Sequence, residues 1–467
     1  MRIRKKSLNN SFNVCEVFNV VSLPPAEAGA LSMARSAVIT AALSLALPGL
    51  GIVGLLSHAP DARAQQAAVS VAADDPFTEP ATPLTLDAAI RLALERNPLV
   101  AAAQREIEAS EAHLLQGSLR PNPDFAYVAE DSRNVSRSST AQIDIPIETA
   151  GKREARIEAA ERGRSVAVSD LGGVQLKLRA AVTAAFFDVL AAQEQTQLAR
   201  ETLQLSQRAT DIASKRVAAG KISPVEETKA RVAEAGARVS LMQAESQLRN
   251  ARHRLASQWG NPDPRFTEAT GQIDRLPESP AVESIQQRLT ASPLLERAQR
   301  ELERRRSLVG VEQSRTVPDF SVSIGMKRRE DVTRDQLLVG LTVPLPVFNR
   351  NQGNLLEALR REDKAREELR AVRVNLSSEA LQALERVSAR RDETELLRRD
   401  VLPGAQSAYE AATIGFENGK FSFLEVLDAQ RTYFNAKSQY LNALSAFHRA
   451  LTELESLLGQ GGSDAVR

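Results

Sequence analysis

The chain is nearly without cysteine: it has one, Cys15, in 467 residues. Cys15 precedes the segment read below as an export signal, so the mature protein is expected to form no disulfide and no thiolate metal site. Histidine is as scarce, with four in all. Beyond residue 64 only His113, His253 and His448 remain, far apart and on expected helices. No His-Cys cluster, HExxH, Walker loop or GxSxG occurs. Neither a catalytic constellation, nor a metal site, nor a cofactor site can be assembled from what is left. Aromatic residues make up 4%, too few for a thick globular core. The net charge of +1 implies no polyanion, so nucleic acid is not an expected partner. Alanine, leucine, glutamate, arginine and glutamine fill the chain instead, a mix that suits long helices packed through small residues.

Residues 1–64 do not read as folded protein. Met33-Ala34-Arg35 opens a basic start, an apolar run follows from Ala37 to Leu56, and Ala62-Arg63-Ala64 ends it. That order marks a secretory signal that works from Met33 and is cleaved after about Ala64; it leaves the true start codon open between Met1 and Met33. The alternative is an uncleaved anchor, against which Pro48, Gly49, Gly51 and Gly54 argue. Residues 65–83 read as a flexible leader.

What is present is a duplication. Asn97-Pro98-Leu99 through Pro123-Asp124-Phe125 aligns without a gap on Ser292-Pro293-Leu294 through Pro318-Asp319-Phe320. Ala103-Gln104-Arg105-Glu106 recurs as Ala298-Gln299-Arg300-Glu301, and Gly220-Lys221-Ile222-Ser223 meets Gly419-Lys420-Phe421-Ser422. The period is too long for a solenoid. The units run 84–278 and 279–459, with a disordered tail at 460–467.

Each unit changes period. Helical spacing begins at Leu84 with Thr85 as N-cap and runs to Leu119, where Pro121-Asn122-Pro123 stops it. Strict alternation follows: Ile143, Ile145 and Ile147 in the first unit; Phe320, Val322, Ile324 and Met326, then Leu337, Val339, Leu341, Val343 and Leu345, in the second. Two strands per unit are expected, at about 123–147 and 318–346, joined by polar loops at Asp131–Arg137 and Arg328–Asp335. Lengths of about 9–11 residues match tilted barrel strands. Isolated hairpins are marginal in water. Lipid can cover the apolar faces Phe320, Val322, Ile324, Leu337, Val339, Leu341 and Val343 if several chains close a barrel. A small soluble sheet packed on helices is the alternative.

Helical spacing then resumes from Lys152 to Ala218, loosened at Gly172-Gly173, and returns from Val225 to Gln258. In the second unit it runs from Gln352 to Val401, breaks at Pro403, continues to Glu417, turns at Gly419 and returns from Ser422 to Leu458. Ser223, before Pro224, and Ser422 read as N-caps. Ala230, Ala233 and Ala237 form a small-residue seam; a free-standing antiparallel coiled coil would have one too. Glu425 and Asp428, three apart, share a face near a helix start. The helix dipole favours acids there. In a ring of protomers they would instead repeat as a carboxylate collar that selects cations.

Phe423-Leu424-Glu425-Val426-Leu427-Asp428-Ala429 with Tyr433-Phe434-Asn435-Ala436-Lys437 resembles the second helical hairpin of TolC-type outer-membrane efflux proteins. Ala150-Gly151-Lys152-Arg153, Gly220 through Thr228, and Val343-Pro344-Leu345-Pro346-Val347-Phe348-Asn349-Arg350-Asn351-Gln352-Gly353 resemble its cobalt-zinc-cadmium resistance branch. The resemblance covers Leu84 to Gly459 and implies a mostly α chain with a small β part. It implies a homotrimer whose 12-stranded outer-membrane β-barrel continues as a periplasmic α-helical barrel. The implied partners are a periplasmic adaptor, an inner-membrane RND-type transporter and outer-membrane lipid. The family's gate carboxylates fall on Glu425 and Asp428. Its adaptor-docking tips fall on Gly220, Lys221, Ile222, Ser223, Gly419, Lys420, Phe421 and Ser422. A basic gate residue of the founding member has no match, since Phe421 stands there. The implied activity is passive export of heavy-metal cations. Drug or organic-compound efflux and type I protein secretion use the same architecture, and a soluble coiled-coil adaptor is a more distant alternative.

Overall fold

A computed structural model describes residues 83–130, 137–277, 280–329, 332–418 and 420–459. The expected export signal, the leader up to residue 82, most of the first strand loop, Gly419 and the tail lie outside the described residues. All described residues belong to one unit, Thr78–Arg467.

The expected first helix is two. Helix α1 (Leu86–Arg96) is capped by Thr85, whose hydroxyl accepts from the Ala88 N–H. Pro98 forces the residue before it out of helical geometry, so Asn97 is extended and starts α2 (Pro98–Ser118). Its side chain accepts from the Leu99 N–H at 2.7 Å. The Asn97 amide also donates to the Gln258 carbonyl at 2.6 Å, which ties this corner to the far end of its own unit. The second unit repeats the device: the Ser292 hydroxyl donates to the Leu457 carbonyl at 2.9 Å. Gly260 and Gly459, both with φ +79°, sit against the rings of Pro98 and Pro293. At Gly459 a Cβ would stand 2.7 Å from the proline ring, so only glycine closes that corner.

Strands β1 (Asp124–Glu130) and β2 (Ser138–Ile147) are followed by α3 (Lys152–Ala218) and α4 (Pro224–Ala256). Helix α5 (Val282–Leu289) and α6 (Pro293–Ser314) lead to β3 (Phe320–Arg329) and β4 (Val332–Thr342). Then come α7 (Gln352–Leu396), α8 (Leu402–Glu417) and α9 (Phe423–Leu457). The 67 residues of α3 extend about 100 Å at about 1.5 Å per residue. Gly172-Gly173 does not interrupt it; α6 lies alongside, with Arg297 paired to Asp170 at 2.5 Å.

Three further expectations are corrected. Pro403 does not break its helix. A π turn at Leu397–Val401 widens the backbone before it, which accommodates a residue without an N–H. The second strand loop is shorter than Arg328–Asp335, because β3 reaches Arg329 and β4 begins at Val332. A register shift lies between Lys327 and Arg329. Finally, β4 ends at Thr342, so Val343 falls one residue beyond it. Pro344 and Pro346 have no N–H to extend the ladder.

Alanines every seven residues on α4 (Ala230, Ala237, Ala244 and Ala251) are buried. Small side chains let α3 and α4 approach until the Thr196 hydroxyl of α3 reaches the Ala244 carbonyl at 3.3 Å. In the second unit Ile285, Leu384, Val387, Phe447, Leu451 and Leu454 form a denser core between α5, α7 and α9. The two units are joined along α3 and α9. Ser445 and Arg449 both donate to Asp188, each at 2.8 Å. His448 stacks flat on Phe187 with ring centroids 3.7 Å apart.

Candidate functional site: a strand face and the helix tips

The sheet runs β1-β2-β3-β4, all antiparallel, so the second unit continues the first without a crossover. Register fixes the faces. Phe125, Ile143, Ile324 and Val339 stand in one row; Ile145, Val322 and Leu341 form another; Ile147 faces Phe320. Residues directly opposite in a ladder share a face, so all seven predicted apolar strand residues except Val343 lie together. Leu337, Val339 and Leu341 are 76%, 70% and 66% exposed. Phe320 and Val322 are half-buried. This is a large apolar surface without a partner among the described residues.

The other face is small and polar. Asp124, Asp144, Ser323 and Gly340 form one row, and Ala126, Gln142, Gly325 and Leu338 the next. Ser323 donates to Asp144, which also accepts from the Gln142 amide at 3.1 Å. Lys327 meets Glu130 at 3.0 Å. Strands β1 and β4 each have one edge unpaired among the described residues.

The strand-to-helix junction is clasped by side chains that carry no expected role from the sequence, among them Thr149, Glu148 and Arg156. Asp319 accepts from Lys152 Nζ at 2.6 Å and from the Thr149 N–H at 2.8 Å. Arg156 pairs with Glu148, and Arg153 donates to the Ser118 carbonyl at 2.6 Å. Ala150 and Gly151 both take left-handed φ, 55° and 66°, to turn β2 into α3. The signal available was Asp319 within the duplicated Pro-Asp-Phe and Gly151-Lys152 after a strand.

The first helix tip closes as a Schellman motif. The Lys221 N–H donates to the Arg216 carbonyl and the Gly220 N–H to the Val217 carbonyl, both at 2.9 Å, with Gly220 at φ +66°. Ser223 then caps α4 through the Val225 N–H. The second tip repeats the wide bond, Lys420 N–H to Gly415 carbonyl at 2.8 Å; Gly419 itself is not among the described residues. Phe421 lies over Gly415 so closely that a Cβ there would come within 2.1 Å of its ring. Ile222, Ala213, Ala230, Phe416 and Leu427 pack together, so one small core unites both tips. Arg216 sits 4.2 Å above the Phe416 ring.

Glu425 and Asp428 are both exposed on α9. Glu425 also completes a capping box: its carboxylate accepts from the Ser422 N–H at 2.6 Å, and the Ser422 hydroxyl accepts from the Glu425 N–H. Asp428 has no side-chain partner among the described residues. Higher on α9, burial pushes the Tyr440 hydroxyl up to about 12, helped by its bond to Asp274 at 3.3 Å. Among the described residues no helix is long and apolar enough to cross a membrane.

Residues 89–261 and 284–460 match the outer membrane efflux protein family, one copy on each unit. The chain belongs to that family. It is 47% identical to the cobalt-zinc-cadmium resistance protein CzcC of Cupriavidus metallidurans, over 82% of this chain and 91% of that one. It is 27% identical to the nickel-cobalt-cadmium resistance protein NccC of Alcaligenes xylosoxydans xylosoxydans, over 64% and 68% of the two chains. Its fold is that of the CusC channel, with a TM-score of 0.67 over 83% of this chain and 96% of that one at 19% identity. The mostly helical, internally duplicated architecture expected from the sequence is therefore that of an outer-membrane efflux channel.

Proposed function

We propose that the chain is the outer-membrane exit duct of a tripartite, proton-driven pump, and that its cargo is divalent cations of the cobalt, zinc and cadmium type. The extent of identity with CzcC carries the cargo reading. Three copies, each giving four strands, join the β1 edge of one to the β4 edge of the next. The resulting 12-stranded barrel has no free edge. Its apolar face meets lipid and its small polar face lines a wet lumen. The helices continue the duct into the periplasm. Gly220 to Ser223 and Gly419 to Ser422 receive the periplasmic adaptor, and an RND-type inner-membrane transporter supplies the energy. Glu425 and Asp428, three times over, form a carboxylate collar at the closable end. The duct itself needs no enzyme activity and no resident metal, so ion choice rests with the pump. Export uses a signal removed after about Ala64.

The test is tolerance to zinc, cobalt and cadmium in a deletion strain, beside a panel of drugs and detergents. Metal sensitivity reversed by restoring the gene is expected. Sensitivity to drugs alone would keep the channel and overturn its cargo.

A further inference from the structure

The two units differ in the connector that leads from the second strand into the long helix. Between β2 and α3 the connector is four residues, 148–151; between β4 and α7 it is nine, 343–351. Among the described residues, the longer connector holds the two most exposed large apolar side chains, Phe348 and Leu345. Phe348 is 91% exposed, Leu345 79% and Val347 62%.

The connector nonetheless makes several hydrogen bonds of its own, and Asn351 also donates to Glu312 of α6. The Val347 N–H donates to the Leu345 carbonyl at 2.9 Å. The Gln352 amide donates to the Phe348 carbonyl and accepts from the Arg350 N–H at 2.8 Å. The Asn351 N–H donates to the Asn349 side chain, and Arg350 Nε donates to the Pro346 carbonyl. Pro344 and Pro346 have no N–H to satisfy. Each backbone group bonded within the loop, and each proline without an N–H, lowers the desolvation cost of bringing the loop to an apolar environment.

Position says which environment. Val343, Leu345 and Val347 continue the odd-numbered alternation of Leu337, Val339 and Leu341, the face assigned above to lipid. They extend it past the end of the ladder at Thr342, on the side where the helices begin. An aromatic ring next to a cation at such a boundary suits a membrane interface, the ring among acyl carbonyls and the cation at phosphate. Arg350 is exposed and has no carboxylate partner among the described residues.

We infer that Leu345-Pro346-Val347-Phe348 is a membrane-interface foot, seated in the periplasmic phospholipid leaflet with Arg350 at the lipid phosphates. This rests on the barrel reading above. The test is tryptophan fluorescence of full-length protein reconstituted into phosphatidylcholine vesicles, with and without brominated acyl chains. The wild type supplies the background, because its single tryptophan, Trp259, is buried in the helical part. Leu341→Trp reports the barrel wall and Phe348→Trp reports the foot. Brominated lipid is expected to quench both variants beyond the wild type, with F348W quenched most by bromines nearest the headgroup. F348W left unquenched while L341W is quenched would overturn the foot and keep the barrel, as when a second copy of the chain covers the loop. If neither is quenched, the barrel reading falls and takes the foot with it.

Discussion

His448 is 4% exposed and, among the described residues, is the one histidine placed in a core. Its ring stacks on Phe187, meets Phe447 edge-on at 5.4 Å, and shares a 2.8 Å hydrogen bond through Nε2 with the Ile273 carbonyl. A carbonyl can only accept, so Nε2 carries the proton in the neutral ring. Burial holds the ring below its ordinary value; the Ile273 carbonyl and Asp274 oppose that but do not outweigh it. The neutral form is thus favoured by folding. Below about 6.5 the unfolded chain binds a proton that the folded chain resists. The stabilisation is complete above that value and is lost as pH falls through the lowered native one. Thermal unfolding at pH 7.5 and 5.0 checks this: His448→Gln should show a smaller acid-induced drop than wild type. An equal drop would place the acid sensitivity elsewhere. Gly325 offers a second residue-scale expectation. A Cβ there would lie 2.5 Å from the Ala141 carbonyl oxygen and 2.6 Å from Gln142 Cβ. Gly325→Ala should therefore cost roughly 1–3 kcal/mol by overpacking, read as a lower denaturant midpoint. Gly340→Ala, whose nearest contact would be 3.3 Å from the Ser323 Cβ, should cost less.

At the scale of elements, period was the readable quantity and local chemistry the correction. The strands alternate as the sequence implied, and register then put β2 and β3 side by side, which no periodicity specifies. The α1–α2 corner was hidden because Asn97-Pro98 interrupts a helical pattern that continues in phase on both sides. Pro403 misled in the opposite direction: a π turn absorbs a residue that normally ends a helix. Val343 keeps the alternation but has no ladder, because prolines follow it. The apolar strand face itself leads to a sharp expectation. Leu341→Arg should destabilise the barrel by roughly 2–4 kcal/mol per chain near mid-bilayer. The check is recovery of folded oligomer from membranes, and normal yield would count against a lipid-facing position.

At the scale of the whole molecule, the capping box on Glu425 is compatible with the proposed collar, because a carboxylate has two oxygens. One cap bond leaves acceptor capacity for a neighbour across the axis. Glu425→Ala with Asp428→Ala should raise single-channel conductance or lower cation preference in planar bilayers. Glu425→Gln alone should retain most of the helix cap, so unchanged helix content together with a changed cation preference would separate gate from cap. If the double variant leaves both conductance and selectivity unaltered, the pair serves only its own helix.

Taken alone, the sequence determined the duplication, the alternation of helical and strand periods, the helix caps at Thr85, Ser223 and Ser422, and the family to which these belong. Those are local properties, fixed by spacing along the chain and by side chains that reach only a few residues. The tertiary structure decided everything that depends on distant segments meeting: the Asp319–Lys152 clasp, the His448–Phe187 stack between units, the shared core under both tips, and the open edges of β1 and β4. Such contacts join residues more than a hundred positions apart, and their partners are chosen by how helices and strands pack, which spacing along the chain does not encode.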